Sequence, residues 1–400
     1  MTNNETNTPV LLLSPLILTS LGVYLTIAIV IGTLANGSAL YVFLTNKQLR
    51  SPTNMFIISL LICDFLMCTV GAPLPAASNF AHRWLWGWSG CVFHGFTVYI
   101  LGLSNLYILT AISVDRYIII AKPLQASKIN HRVVSISVFL CYFFGFVWSF
   151  LPLVGWSEYV FEGAGTACGI SYDYNSASAF SYNIAIFINC YWIPIFIMIY
   201  CYYYVFMTIR SMARNTAFDR KSRIAKRNLR IEKKMAKTIA LMIGVFMFAW
   251  TPYAVTAFWV AFGFGELPVI VSTSAAMFAK SASVWNPLIY VYTNKQFRKA
   301  FYEKIPCSGF RSKLIKKEEE KEAESEESDI DDKSKTTGQK VTHLKVQNTR
   351  RGVTPINDDD DAGEITICED IVADAITLED DGKKEEIEIK DLGGSRQAKR

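Results

Sequence analysis

Apolar residues along this chain gather into seven long runs, 16–45, 55–80, 91–120, 133–156, 180–207, 235–262 and 269–290, separated by polar links. Each run reaches the roughly 20 predominantly apolar residues that a helix needs to cross the hydrocarbon core of a bilayer. The pattern therefore predicts seven membrane-spanning helices, with the two ends of the chain on opposite sides. Composition agrees: 51% of the 400 residues are hydrophobic and the mean hydropathy is +0.24, high for a soluble chain of this length. The first run follows a short polar head with no basic segment and no small-residue cleavage site, which predicts a retained helix and not a signal peptide.

Charge then orients the bundle. The first 310 residues carry 10 acids against 23 bases, whereas the last 90 hold 25 acids and 17 bases. Bases crowd alternate links: Lys47 and Arg50 after span 1, Arg116, Lys122, Lys128 and Arg132 after span 3, and a series from Arg210 to Lys234 after span 5. The other links hold little beyond Arg83, Glu158, Glu162, Asp173 and Glu266. Basic links stay on the cytoplasmic side, so residues 1–15 are expected outside and residues 308–400 in the cytosol. Asn4 opens an N-glycosylation triplet on the outer face; Asn36 opens another but lies within span 1 and is expected to stay unmodified.

Nine cysteines sort by the same topology. Most fall within spans or on the cytosolic side. Cys91, at the outer end of span 3, and Cys168, in the link before span 5, share the oxidising side, and a disulfide between them is predicted. Inside the spans, ionisable groups are few: Asp64, His94, Asp115, Arg116, Lys237 and Lys280. Lys237 sits near a span end, where its stem lets the ammonium reach the surface. The others are expected to face the bundle interior, because lipid penalises them.

These residues carry a resemblance. Asn36, Asp64, the triplet Asp115-Arg116-Tyr117, the run Trp250-Thr251-Pro252-Tyr253 and Asn286-Pro287-Leu288-Ile289-Tyr290 stand in the order found in the rhodopsin-like G-protein-coupled receptors. The likeness covers roughly residues 16–307. It implies an all-α membrane protein: a seven-transmembrane-helix bundle (16–291), a short amphipathic eighth helix (292–307) and, from composition, a disordered acidic cytoplasmic tail (308–400). It also implies that Arg116 pairs with Asp115 and Glu232 at rest, that release lets span 6 swing outward about Pro252, and that Tyr290 and Tyr202 then move inward. Asn294, Lys295 and Gln296 resemble the tripeptide of ciliary-type opsins at the G-protein contact.

Lys280, six residues before Asn286, matches the position at which animal opsins bind retinal through a Schiff base. A neutral amine is a nucleophile toward an aldehyde, and such attachment gives a reason for a lysine at that depth. The alternative is a lysine that pairs with Asp64 or binds an acidic ligand. The resemblance implies retinal, 11-cis in the dark, with Trp250 against its ring.

A buried cation needs an anion. In vertebrate visual opsins a glutamate three residues after the span 3 cysteine supplies it; here that residue is His94, which carries no negative charge in either form. Glu162, six residues before Cys168, matches the loop glutamate that serves as counterion in many invertebrate and non-visual opsins. His94 is expected in the pocket, and a histidine there also occurs in some retinal-isomerase-like opsins.

The resemblance thus implies a light-activated receptor for a heterotrimeric G protein, with a retinal photoisomerase as the alternative. Cys307, just beyond the amphipathic helix, is a candidate for palmitoylation with a free cytosolic thiol as the alternative, and the serines and threonines of the tail are candidates for phosphorylation by a receptor kinase with arrestin recruitment. Lipid is the expected surrounding. Nothing in the chain suggests a metal site, enzymatic catalysis or nucleic-acid binding. The sequence shows no inverted repeat, broken helix or charged pore series, so transporter and channel readings lack support.

Overall fold

The computed structural model of the chain describes residues 13–215, 223–304, 309, 311–317 and 320. Asn4, Cys307 and the tail beyond residue 320 lie outside the described residues, as does the side chain of Gln296.

Backbone polar groups find no partners in hydrocarbon, so a lipid-exposed chain can cross only as a helix or a closed barrel. Here it crosses as helices. Six are long and apolar enough to do so: 15–45, 52–80, 87–121, 131–154, 177–212 and 231–261. Each covers the run the pattern predicts, shifted or extended by a few residues. The chain is a multi-pass membrane protein, and its packing is inverted accordingly. Phe139, Phe143, Phe146, Phe196 and Phe206 face outward, while Asn36, Asp64, Asn105, Asp115 and Arg116 are buried.

Span 7 departs from the expected unbroken helix. It consists of Val269–Lys280 and Ala282–Thr293, interrupted at Ser281. The Ser281 N–H bonds back only three residues, to the Phe278 carbonyl, and its hydroxyl donates to the same oxygen at 2.7 Å. A serine that bonds its own backbone in this way competes with the helical ladder. The turn tightens without unwinding.

Prolines shape two other spans. Ahead of Pro73 in span 2 and Pro194 in span 5 lie π-helical turns, Met67–Gly71 and Ile188–Trp192. A proline has no N–H and crowds the carbonyl four residues earlier; widening the turn moves that carbonyl aside. The Ala72 N–H accordingly donates five residues back, to Met67, at 2.8 Å.

Between spans 4 and 5 a short hairpin, β1 (Tyr159–Glu162) and β2 (Ala167–Ile170), pairs antiparallel with Glu162 opposite Ala167. It lies across one end of the bundle, tied to span 3 by the Cys91–Cys168 disulfide, the cross-link the topology predicts. Its turn is pinned twice more: the Ala164 N–H donates to Thr273 of span 7, and the Thr166 hydroxyl to Asn79 at the end of span 2, each at 3.1 Å.

At the opposite end Lys295–Glu303 forms the amphipathic helix. Asn294 caps it by accepting from the Phe297 N–H at 3.0 Å. Phe297 and Ala300 are buried and Lys299 is exposed. Residues 311–317 are also helical, within the segment for which composition predicts disorder; its four bases and the Lys316–Glu320 pair one turn apart favour helix there.

Candidate ligand-binding site and its switch

Beneath the hairpin, spans 3, 5, 6 and 7 enclose a cavity of about 780 Å³ of empty space, its open end included. Val98, Gly102, Ile186, Phe187, Trp250 and Ala257 give it an apolar wall. Among the described residues its two charged side chains are Lys280 and Glu162.

Lys280 comes from the last residue of the first half of span 7 and is 6% exposed. Its ammonium makes one long contact, 3.5 Å, to the Ala276 carbonyl. Among the described residues no carboxylate forms a salt bridge with it. Asp64 is engaged elsewhere: its carboxylate accepts from Asn105 at 2.7 Å and Asn286 at 2.8 Å. The alternative of a Lys280–Asp64 pair is therefore absent. Glu162, the last residue of β1, lines the same cavity as Lys280, Tyr99, Tyr172 and Tyr253.

Those tyrosines form a chain that sequence reasoning missed. Tyr99 of span 3 and Tyr172 of the loop share a hydrogen bond of 2.8 Å, and Tyr172 and Tyr253 of span 6 one of 2.9 Å. All three line the cavity. Burial first, and the Glu162 charge next, hold the Tyr172 hydroxyl above its ordinary range, so it stays protonated and able to donate. Tyr253 beside Pro252 was a local signal; the partnership with Tyr99 exists only in the fold.

Trp250 lies in the cavity wall against span 3. A Cβ at Gly102 would come within 2.8 Å of its ring, so glycine is what admits the indole there. His94 is 1% exposed and packs beside Trp84 at a ring separation of 5.8 Å, without itself lining the cavity surface.

Farther along the bundle, Pro287 cannot donate to the Ser283 carbonyl one turn earlier. The Asn36 amide of span 1 supplies the missing donor at 2.9 Å. With Asn286 on Asp64, this ties spans 1, 2, 3 and 7 through polar groups that apolar packing could not place so specifically.

At the far end Arg116 is 2% exposed and fully engaged. It donates to Asp115 at 2.7 and 3.1 Å, to Glu232 of span 6 at 2.9 Å and to the Thr53 hydroxyl at 2.6 Å. Thr53 in turn donates to Asp115 at 3.0 Å. Tyr117 packs outside this cluster, against Tyr200 and Tyr204. Tyr290 donates to Asn54 at 3.2 Å and accepts from Asn294 at 2.8 Å. The Tyr202 hydroxyl is buried without a partner and does not meet Tyr290. Lys295 follows Asn294 at the start of the amphipathic helix.

Arg116 reaches span 6 through Glu232 and, in a weaker contact of 4.0 Å, through the Met235 sulfur; Glu232 is 34% exposed, so the ion pair's net worth is on the order of 1 kcal/mol. Glu232→Gln is expected to raise ligand-free nucleotide exchange on a coupled G protein about fivefold, by the Boltzmann factor for that energy. A basal exchange assay on matched receptor amounts checks it.

A family model described as "7 transmembrane receptor (rhodopsin family)" matches residues 35–290, and the chain belongs to that family. Mouse melanopsin is 34% identical over 299 residues, covering 72% of this chain and 57% of that protein. Rhodopsin of Sepia officinalis is 33% identical, covering 77% and 68%, and the GQ-coupled rhodopsin of Mizuhopecten yessoensis 31% identical, covering 84% and 71%. The crystal structure of squid rhodopsin superposes with a TM-score of 0.69 at 29% identity, over 76% of this chain and 91% of that one. Within the receptor family, then, the chain is an animal opsin. It spans 41–62% of the length of the first melanopsins it matches.

Proposed function

We propose that this chain is a light receptor that holds retinal, 11-cis in the dark, on Lys280 and passes the signal to a heterotrimeric G protein. The observation that carries the reading is a buried amine with no carboxylate partner among the described residues, opening into an apolar cavity whose other charged side chain is Glu162. A long apolar aldehyde fits that donor set: an amine to bond it, an aromatic and aliphatic wall to bury it, and one anion for the charge left on the nitrogen. When bound, retinal supplies a light-driven change of shape.

The chain's own residues do the rest. Lys280 anchors, Glu162 balances charge, and the hairpin keeps water out. Trp250, seated on Gly102, transmits displacement of the cavity wall to span 6 two residues before its proline. The Arg116 cluster holds the opposite end of span 6 until that push exceeds the small energy of the Glu232 tie. Tyr202 and Tyr290 then turn toward the opening, where Asn294, Lys295 and Gln296 meet the G protein.

In this reading residues 1–15 lie outside the cell, with Asn4 glycosylated. Residues 16–291 form the opsin domain and 292–307 the amphipathic helix, with Cys307 acylated. Residues 308–400 form a cytoplasmic tail for a receptor kinase and arrestin. The basic links and the GQ-coupled relative support the orientation and the partner class.

The test is expression, addition of 11-cis-retinal and measurement of nucleotide exchange in light and dark. A pigment with light-dependent exchange is expected. A pigment without exchange would favour the photoisomerase reading, and failure to form any pigment would overturn both.

A further inference from the structure

We propose that Gly169 is a positioning residue for Glu162: the missing side chain on β2 leaves the space in which the Glu162 carboxylate lies, and so sets the field that the anion imposes on Lys280. This rests on the reading of Glu162 as the anion for the ligand-bearing nitrogen.

The pairing places Glu162 opposite Ala167 and Val160 opposite Gly169, so Glu162 and Gly169 are diagonal neighbours on one face of the hairpin. Both line the cavity. A Cβ built at Gly169 would stand 3.2 Å from the Glu162 carboxyl carbon and from one of its oxygens, and 3.3 Å from the other. The carboxylate lies where a side chain at Gly169 would meet it.

What else holds it? Among the described residues no hydrogen bond or salt bridge fixes the Glu162 side chain. The backbone beneath is held at Cys168, Ala164 and Thr166. A fixed strand therefore carries a side chain whose charged end has no hydrogen bond to place it, and the open space at Gly169 is where that end lies. The glycine has no conformational reason to be here, since its φ is not among the positive values of the chain. A strand interior normally disfavours glycine, which often marks a close approach.

A methyl group at Gly169 would push the carboxylate aside by a few tenths of an ångström. Such a move costs little in stability, because the group that yields is the free end of a flexible side chain. It matters electrostatically, because charge interactions in a poorly screened cavity change with small changes in separation.

The experiment compares four proteins reconstituted with 11-cis-retinal: parent, Gly169→Ala, Glu162→Gln and the double variant. It reads the dark absorption maximum and the pH at which the visible band gives way to an ultraviolet one. Thermal unfolding of the retinal-free proteins runs in parallel. Gly169→Ala is expected to shift both optical readouts with unfolding unchanged, and the shift is expected to vanish in the Glu162→Gln background, where the bulk of the side chain remains and its charge is gone. An equal shift in both backgrounds, or none in either, overturns the positioning role. If Glu162→Gln alone leaves spectrum and titration at parent values, the anion reading itself fails. Glu162→Asp withdraws the carboxylate from an intact Gly169 by one methylene and is expected to shift the band too; no shift there counts against the proposal even if Gly169→Ala proves hard to fold.

Discussion

Lys280→Ala is expected to abolish pigment formation with 11-cis-retinal, not merely to weaken it, and the loss is read as the absence of any visible or ultraviolet band that survives washing with detergent. The expectation is total because attachment needs a primary amine, and among the described residues Lys280 is the one lysine in the cavity wall. Lys280→Arg is expected to fail equally: a guanidinium keeps the positive charge but stays protonated and offers no nucleophile. The pair of variants separates covalent capture from simple charge recognition. Folding should survive the alanine change, since removing a buried amine with one long hydrogen bond relieves a desolvation cost more than it breaks a contact. Recovery of folded, surface-expressed protein is the control.

Cys168→Ser should have the second largest effect. The bond closes a loop between positions 77 residues apart, and loss of a native disulfide typically costs about 2–5 kcal/mol. Here the cost extends to the site, because β2 is held to span 3 through that bond and carries both Gly169 and, two residues past its end, Tyr172. Most of the protein is expected to misfold or to form no pigment. Cys91→Ser should match it, and the double variant should be no worse than either alone, since one bond is removed in all three. Additive losses would mean that each thiol has a separate role. Yield of pigment per unit of protein is the measurement.

The bundle was legible because the bilayer imposes a simple rule on sequence. Seven apolar runs can be counted without knowing how they pack, and buried ionisable residues in a lipid-facing chain point inward by necessity. The cysteine pair was legible for a similar reason: topology alone left two thiols on one oxidising side. Local backbone detail was less so. The break at Ser281 depends on a serine hydroxyl bonding the Phe278 carbonyl three residues back, and serine does this in some helices and not in others. The wide turns before Pro73 and Pro194 follow from proline chemistry, yet a kink would satisfy the same constraint.

The site was legible in its charges and not in its geometry. Lys280, Glu162 and Trp250 line one cavity, but the pattern could not foresee that Tyr99, Tyr172 and Tyr253 would join across it, since they come from a helix, a loop and a second helix far apart in the chain. His94 was legible as a buried position one turn below Cys91, and its ring neighbour there, Trp84, came only with the fold. Gly169 carried no signal until the hairpin register put it beneath Glu162.

The most direct test of the central claim is reduction of the dark pigment with borohydride, followed by proteolysis and mass spectrometry of the span 7 peptide. The account predicts a retinyl group bonded to the side-chain nitrogen of Lys280. A pigment whose retinoid is released intact from that peptide, or is found on another lysine, would contradict it.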